Sequence, residues 1–262
     1  MPNQIILTSL SKAGGVGKTT TAVNLAYEWS LRGYSVGIID LDLNHSIEEF
    51  VGLAPKSDPA TTSLGIFDGN FTGEYGFEPI FGSDKIAVLQ GHPEIEGLAE
   101  SLYSRRKREF ILSKILNKYP LDFDLIIFDL PGGFDLITEN VISVCTHLLI
   151  PVHVGVKTLS VANLIESIYK TVEELELEPE PEILGLIPNK YDKSSSTHET
   201  VYSGLQAIAE ELNYKLYPPI RYWRSFERAA LLGKSLKQLR STDPMTQIFT
   251  HVVDDLVKEF NS

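Results

Sequence analysis

Two groups of residues in this chain have the types and spacing for phosphate chemistry. The first is the stretch Ser11-Lys12-Ala13-Gly14-Gly15-Val16-Gly17-Lys18-Thr19-Thr20. Glycines let a backbone turn its N–H groups inward around a polyphosphate, and a helix starting there aims its positive end at the same charge. Lys18 adds a mobile cation, and Thr19 offers a hydroxyl to Mg2+. The pattern G-x-x-x-x-G-K-[ST] is met at Gly17-Lys18-Thr19, while Lys12 stands where its first glycine belongs. Context supports the loop all the same, because an apolar run over 4–10 precedes it and a helical pattern over 19–32 follows. The second group is three aspartates at the ends of apolar runs: Asp40 and Asp42 closing 35–41, and Asp129 within 124–130, before Pro131-Gly132-Gly133. Alternate residues of a strand share a face, so Asp40 and Asp42 are expected on one side at the carboxyl end of a strand, where open α/β sheets bind ligands.

The elements that must position these groups follow from the hydrophobic pattern. Apolar runs at 4–10, 35–41, 85–90, 124–130, 148–154 and 182–187 alternate with helical patterns at 19–32, 97–119, 158–175 and near 197–212. Strands apolar on both faces, alternating with helices, predict an α/β fold: one mostly parallel twisted sheet with helices on both faces, spanning 1–262 as a single domain. Residues 52–82 lose periodicity and fill with Pro, Gly, Ser, Thr and Asp, which predicts loop with short helical pieces. The run Arg105-Arg106-Lys107-Arg108 is expected on a solvated helix face. The tail over 244–260 is amphipathic with acidic polar positions, Asp254, Asp255 and Glu259 among them. It should pack on the core, since a membrane-surface helix carries lysines and arginines on that face.

Composition narrows the class. A chain of 262 residues can bury about 70–75% of its extended surface. No apolar stretch reaches the ~18 residues of a spanning helix, and the start has no basic leader, so a cytoplasmic protein is expected. The single cysteine, Cys145, excludes an internal disulfide and a C-x-x-C metal site. A net charge of −12 argues against polyanion binding overall, yet residues 215–240 carry Lys215, Arg221, Arg224, Arg228, Lys234, Lys237 and Arg240 against one acid, Glu227.

With these residues in place the chain resembles the ParA/MinD family of Walker-box ATPases across nearly its whole length. Gly14-Gly15-Val16-Gly17-Lys18-Thr19-Thr20 is similar to the family's P-loop, Ile38-Ile39-Asp40-Leu41-Asp42 to its second acidic motif, and Leu125-Ile126-Ile127-Phe128-Asp129-Leu130-Pro131 to its Walker B strand. Ile150-Pro151-Val152 and the stretch from Pro218-Pro219-Ile220-Arg221 through Gly233 are similar to later family segments. The resemblance implies a P-loop NTPase fold and a homodimer that sandwiches ATP and Mg2+ and hydrolyses ATP slowly. It further implies binding to non-specific DNA on the nucleoid, and an adaptor protein that stimulates hydrolysis and links to a cargo such as a plasmid, chromosome or carboxysome. By resemblance Ala13 through Thr20, Asn189, Pro218 and Pro219 bind nucleotide, Asp42 orients or activates the attacking water, and Thr19, Asp40 and Asp129 serve the metal, the two acids through metal-bound water. Arg221, Arg224, Arg228, Lys234 and Lys237 are the candidate DNA contacts. The spacing i, i+3, i+7 would put the three arginines on one helix face, with Pro218-Pro219 leaving the helix start unsure.

Two features leave alternatives open. Pro188-Asn189-Lys190-Tyr191-Asp192 contains N-K-x-D, which also occurs in GTP-binding proteins. The family favours adenine, and guanine stays as the alternative. The family loop carries a lysine directly before its Gly-Gly pair, and here that place is Ala13, a loss resembling the McdA-type carboxysome-positioning branch. Its replacement is expected in Lys157, a catalytic candidate with Lys18 and Asp42, or in Lys12. A cation just before the helical pattern starting at Thr158 is disfavoured by ~0.3–1 kcal/mol unless an anion compensates, and a phosphate would. Among rivals, iron–sulfur proteins of the nitrogenase iron-protein type need at least two cysteine ligands per chain, and bacterial tyrosine kinases of this fold carry a C-terminal tyrosine cluster, whereas the last tyrosine here is Tyr222. A MinD-like membrane-associated ATPase and an ATP-dependent ligase of the dethiobiotin-synthetase type remain.

Overall fold

The computed structural model describes residues 4–42, 44, 46–155 and 160–262. Among these, seven strands, β1 (Ile5–Ser9), β2 (Val36–Asp40), β3 (Glu78–Pro79), β4 (Ile86–Leu89), β5 (Leu125–Asp129), β6 (His147–His153) and β7 (Glu182–Asn189), form one sheet in the order β3-β4-β2-β5-β1-β6-β7. Pairing is parallel except for β3, which runs antiparallel to β4. β2 and β5 are buried at every position, as strands covered on both faces must be. The two-residue β3, with Pro79 in it, blunts one edge of the sheet.

The helices are α1 (Lys18–Ser30), α2 (Ser46–Val51), α3 (Ser63–Ile66), α4 (Leu98–Tyr103), α5 (Ile111–Lys118), α6 (Leu136–Ile142), α7 (Ser160–Glu174), α8 (Ser196–Glu211), α9 (Arg224–Leu231), α10 (Leu236–Leu239) and α11 (Thr246–Phe260). Two apolar layers result. One face of the sheet packs against α1 and α11 through Ala22, Val23, Trp29, Ile248, Val252 and Leu256. The other packs against α4 to α8 through Leu102, Leu112, Val141, Leu164, Ile168 and Leu205. The tail helix therefore lies on the core as its spacing predicts, and Cys145 is buried in the layer on the other face, where desolvation pushes its thiol pKa up.

One expected helix face is absent. Arg105 to Arg108 lie in the connection between α4 and α5, with Lys107 in the left-handed region at φ 52°. Arg105 donates to the Phe67 carbonyl at 2.9 Å and Arg108 to Glu109 at 2.9 Å. Four consecutive cations gain nothing from one helix surface, and two of them, Arg105 and Arg108, find partners where the chain leaves it. Around the site the topology matters most. β1 lies between β5 and β6, so the carboxyl ends of β2, β5, β1 and β6 stand side by side, and the loop after β1 opens above them.

Candidate nucleotide site

Loop 10–17 carries the chain from β1 into α1. Gly15 and Gly17 take φ of 70° and 95°, which glycine adopts without steric cost. At Gly17 space matters as well: a β-carbon there would stand 2.2 Å from Asn189 Nδ2. That amide donates to the Val16 carbonyl at 2.7 Å, so the end of β7 pins the loop from one side. From the other, the turn after β5 presses on it. A β-carbon on Gly132 would lie 2.8 Å from the Gly14 nitrogen, and the Gly133 amide donates to the Ser11 carbonyl at 3.1 Å. α1 then starts with no acidic residue in its first turn. Its leading N–H groups and the dipole behind them suit an anion.

Beneath the loop the charges are buried. Lys18 is 5% exposed; burial pulls its ammonium pKa down, and Asp129 and Asp42 push it back up. Asp40 and Asp129 are register partners on adjacent strands, both wholly buried. Burial raises the pKa of both carboxyls. The charge of Asp129 adds to the rise at Asp40, while at Asp129 the Thr19 hydroxyl and the Lys18 ammonium oppose it. Asp40 Oδ2 and both oxygens of Asp129 have no partner of hydrogen-bond geometry among the described residues, Thr19 included.

The shared face expected for Asp40 and Asp42 is not what forms. The strand ends at Asp40, whose Oδ1 accepts the Asp42 amide at 2.9 Å, and this local turn replaces strand alternation. Asp42 consequently lines the open cavity, while Asp40 stays below it beside Asp129.

The cavity has a volume of about 420 Å³. It brings together Gly15, Gly17, Lys18, Thr19, Thr20, Asp42 and Asn189 from the sequence-derived set. Ala13, Gly14 and Val16 shape the loop without lining the cavity, and Pro218 and Pro219 stand outside it, leading to Ile220, which lines it. Sequence reasoning missed Lys190 and the wall made by Tyr222, Trp223 and Phe226. For Lys190 a signal existed, its place after Asn189. It takes φ 57°, and its Nζ lies 3.9 Å from where a β-carbon on Gly15 would be, so a second ammonium reaches the phosphate loop. Asp192 stays out of the lining and closes an exposed turn, its Oδ1 accepting from Ser194 N at 2.9 Å and Ser194 Oγ at 2.7 Å.

The basic set divides. Arg221 precedes α9, bridges to Tyr191 in strand fashion and lines the nucleotide cavity, so it does not share a helix face with Arg224 and Arg228. Arg224, Arg228 and Lys234 are exposed. Lys237 is held in an internal ion pair, its Nζ 2.7 and 2.8 Å from the oxygens of Glu28, a residue 2% exposed. Lys12 turns away from the cavity onto α7, donating to the Asn163 carbonyl at 3.0 Å and to Ser167 Oγ at 2.8 Å. Lys157 lies outside the described residues.

A parallel sheet bearing at its carboxyl ends a glycine loop, a buried lysine and strand-terminal aspartates defines a P-loop nucleotide-binding protein. Residues 3–183 match the AAA_31 family, described as AAA domain. The chain belongs to that family, within the ParA/MinD group of Walker-box ATPases. It is 24% identical over 257 residues to the uncharacterized protein MJECL24 of Methanocaldococcus jannaschii, covering 97% of this chain and 98% of that one. With the chromosome-partitioning ATPase Soj of Thermus thermophilus it shares 26% over 260 residues, 94% of this chain and 93% of Soj. Its fold is that of Cyanothece McdA in complex with ATP, at a TM-score of 0.86 and 22% identity over 98% of this chain and 97% of the other. Cobyrinic acid a,c-diamide synthase from Mycobacterium smegmatis, with an ATP analogue and magnesium, has the same fold at 0.78 and 21%, covering 99% of this chain and 96% of the synthase. The same fold is thus found in McdA and in a diamide synthase, so the fold by itself does not fix the function.

Proposed function

We propose that this chain is a ParA-like ATPase that dimerises around ATP and Mg2+, binds DNA without sequence preference, and positions or partitions a cargo through slow, adaptor-stimulated hydrolysis in a nucleoid-associated cytoplasmic pool. The observation that carries the reading is the buried trio Lys18, Asp40 and Asp129 beneath the phosphate loop, with three carboxylate oxygens lacking a hydrogen-bond partner among the described residues. Buried carboxylates without donors suit the water shell of a hard divalent cation. Thr19 would bind Mg2+ directly and Asp40 and Asp129 through water, the ion neutralising charge on the phosphates when bound. The positions of Asp42 and Lys18 in the cavity lining support a role for Asp42 on the attacking water and for Lys18 on the charge of the transferred phosphoryl group.

Several observations support the finer parts. Asp192 is spent on its own turn and absent from the cavity lining, which favours ATP over the guanine alternative. Ala13 in place of the loop lysine supports the McdA-type branch, as does the likeness to the McdA complex. For DNA, exposed Arg224, Arg228 and Lys234 form the contact set, with Arg221 at the mouth of the nucleotide cavity and Lys237 withdrawn. No helix among the described residues is long and apolar enough to cross a membrane, and α11 spends its apolar face on the core.

DNA-binding isotherms with ATP and with ADP, across salt, test the reading. A dimer with about three phosphate contacts per protomer gives a slope of log K against log[salt] near −5, seen with ATP alone. Salt-independent binding, or binding unchanged in Arg224→Ala/Arg228→Ala, overturns it. Turnover that requires a small carboxylate substrate and ignores DNA and protein partners makes the chain a ligase instead, and ATP-dependent sedimentation with liposomes makes it a membrane-associated ATPase.

A further inference from the structure

The geometry points to a second metal site, for a transition-metal ion of the Zn2+ kind, held by His147, Glu182 and Glu259 at the end of the sheet opposite the nucleotide. His147 opens β6 and Glu182 opens β7, and the two are register partners in the parallel ladder. Glu259 comes from the last turn of α11. A ring nitrogen of His147 and one oxygen of each carboxylate lie within 4.8 Å of one another. No hydrogen bond or ion pair joins the three, and neither glutamate has a lysine or arginine partner among the described residues. Two carboxylates converging without a cation repel each other, and a divalent ion between them removes that cost.

His147 is the fixed member. It is 9% exposed, and its Nδ1 lies 2.8 Å from Thr146 Oγ1. That hydroxyl already accepts from Ile6 N at 2.9 Å and has the Ile6 carbonyl at 3.1 Å to receive its own proton, which leaves it free to accept from Nδ1–H. In that tautomer Nε2 carries the lone pair, and Nε2 has no hydrogen-bond partner among the described residues. Metal-ligating histidines are held this way, the second ring nitrogen fixed by an outer partner. Donors around a tetrahedral ion stand about 3.3 Å apart, a closure that rotation of the two exposed glutamate side chains supplies. One imidazole with two carboxylates suits Zn2+, with water in the fourth position, better than it suits Mg2+, which prefers oxygen donors throughout. A bound ion would tie the last turn of α11 to β6 and β7, and α11 packs along α1, whose other end is the phosphate loop.

The test is calorimetric titration of the EDTA-stripped full chain with ZnCl2, in buffer holding MgADP to occupy the nucleotide site, alongside its melting temperature. One equivalent of Zn2+ should bind and raise Tm. Glu259→Gln, at an exposed helix end, should weaken binding roughly tenfold or more, and His147→Ala should abolish it. Glu182→Gln repeats the test on the second strand should His147→Ala fold poorly. The absence of a Zn2+ heat, or binding of equal strength in wild type and Glu259→Gln, overturns the site.

Discussion

At the residue scale, the site holds its charges out of water before any ligand arrives. Burial shifts Lys18 and both buried aspartates toward their neutral forms, and a polyphosphate with its cation is what returns each to full charge. Asp42 is placed differently. It lines the cavity, and its Oδ1 is engaged by the Asn44 amide and side chain at 2.9 Å each. Asp42→Ala should therefore leave ATP binding intact, cut turnover on the order of 10²-fold or more, and accumulate an ATP-bound dimer in sedimentation. Equal loss of binding and turnover would show Asp42 to be a structural residue or a direct metal ligand. Lys18, Thr19 and Asn189 were legible in the sequence as cavity-lining positions because they stand in the first turn or at the last residue of elements whose pattern is local, and Asp42 because it follows the end of β2 by two residues. Lys190 and the Tyr222-Trp223-Phe226 wall were not, because what brings them to the loop is the parallel ladder of β7 on β6 and the bridge from Tyr191 to Arg221, contacts that no sequence period records.

At the element scale, the question is what anchors α1, the helix that must receive phosphate at its first turn. Its apolar face packs under β1 and α11, and its one buried acid, Glu28, is tied to α10 by Lys237 and to α11 by the Thr250 hydroxyl at 3.2 Å. Sequence reasoning placed Lys237 among the cations facing outward. Its partner is more than 200 positions away, and only the packing of α10 across α1 reveals it. A buried carboxylate stripped of its ammonium costs about 3–5 kcal/mol, with the partial exposure of Lys237 favouring the low end. Lys237→Met should thus lose about 3 kcal/mol in urea unfolding, and Glu28→Gln/Lys237→Met should recover most of it. A loss below about 0.5 kcal/mol would mark the pair as an ordinary surface bridge. The same comparison explains the mixed outcome for the arginines. Helical spacing was readable from Arg224 onward, while Pro218-Pro219 and the bridge at Arg221 keep that residue extended and at the cavity mouth.

At the scale of the whole molecule, six of the seven described strands and the long helices were legible, because parallel strands buried on both faces leave apolar runs, while the two-residue β3 and the seven-residue α6 were not read. The short elements α2 and α10 were not separable from loop, each being under three turns, and α9 showed only in the spacing of its two arginines. By the family resemblance, the proposed ATP dimer would need a cation crossing to the partner's phosphates, and Ala13 cannot provide it. Lys12 is committed to Asn163 and Ser167 on α7, so Lys12→Ala should reduce turnover only mildly. Lys190 already reaches the phosphate loop of its own chain, which suits it to the nucleotide bound there. Lys157, a few positions beyond the end of β6, is the remaining candidate for the crossing cation. Lys157→Ala should keep the fold by circular dichroism, retain monomeric ATP binding, and abolish both ATP-dependent dimerisation and hydrolysis. Lys190→Ala should instead weaken ATP binding to the monomer, by roughly the tenfold that about 1.4 kcal/mol represents, with dimerisation restored at saturating ATP. Sedimentation and turnover of the three variants with ATP separate these roles. A Lys157→Ala protein that dimerises and hydrolyses like wild type, or a Lys190→Ala protein that binds ATP normally yet stays monomeric, would move the crossing role away from Lys157.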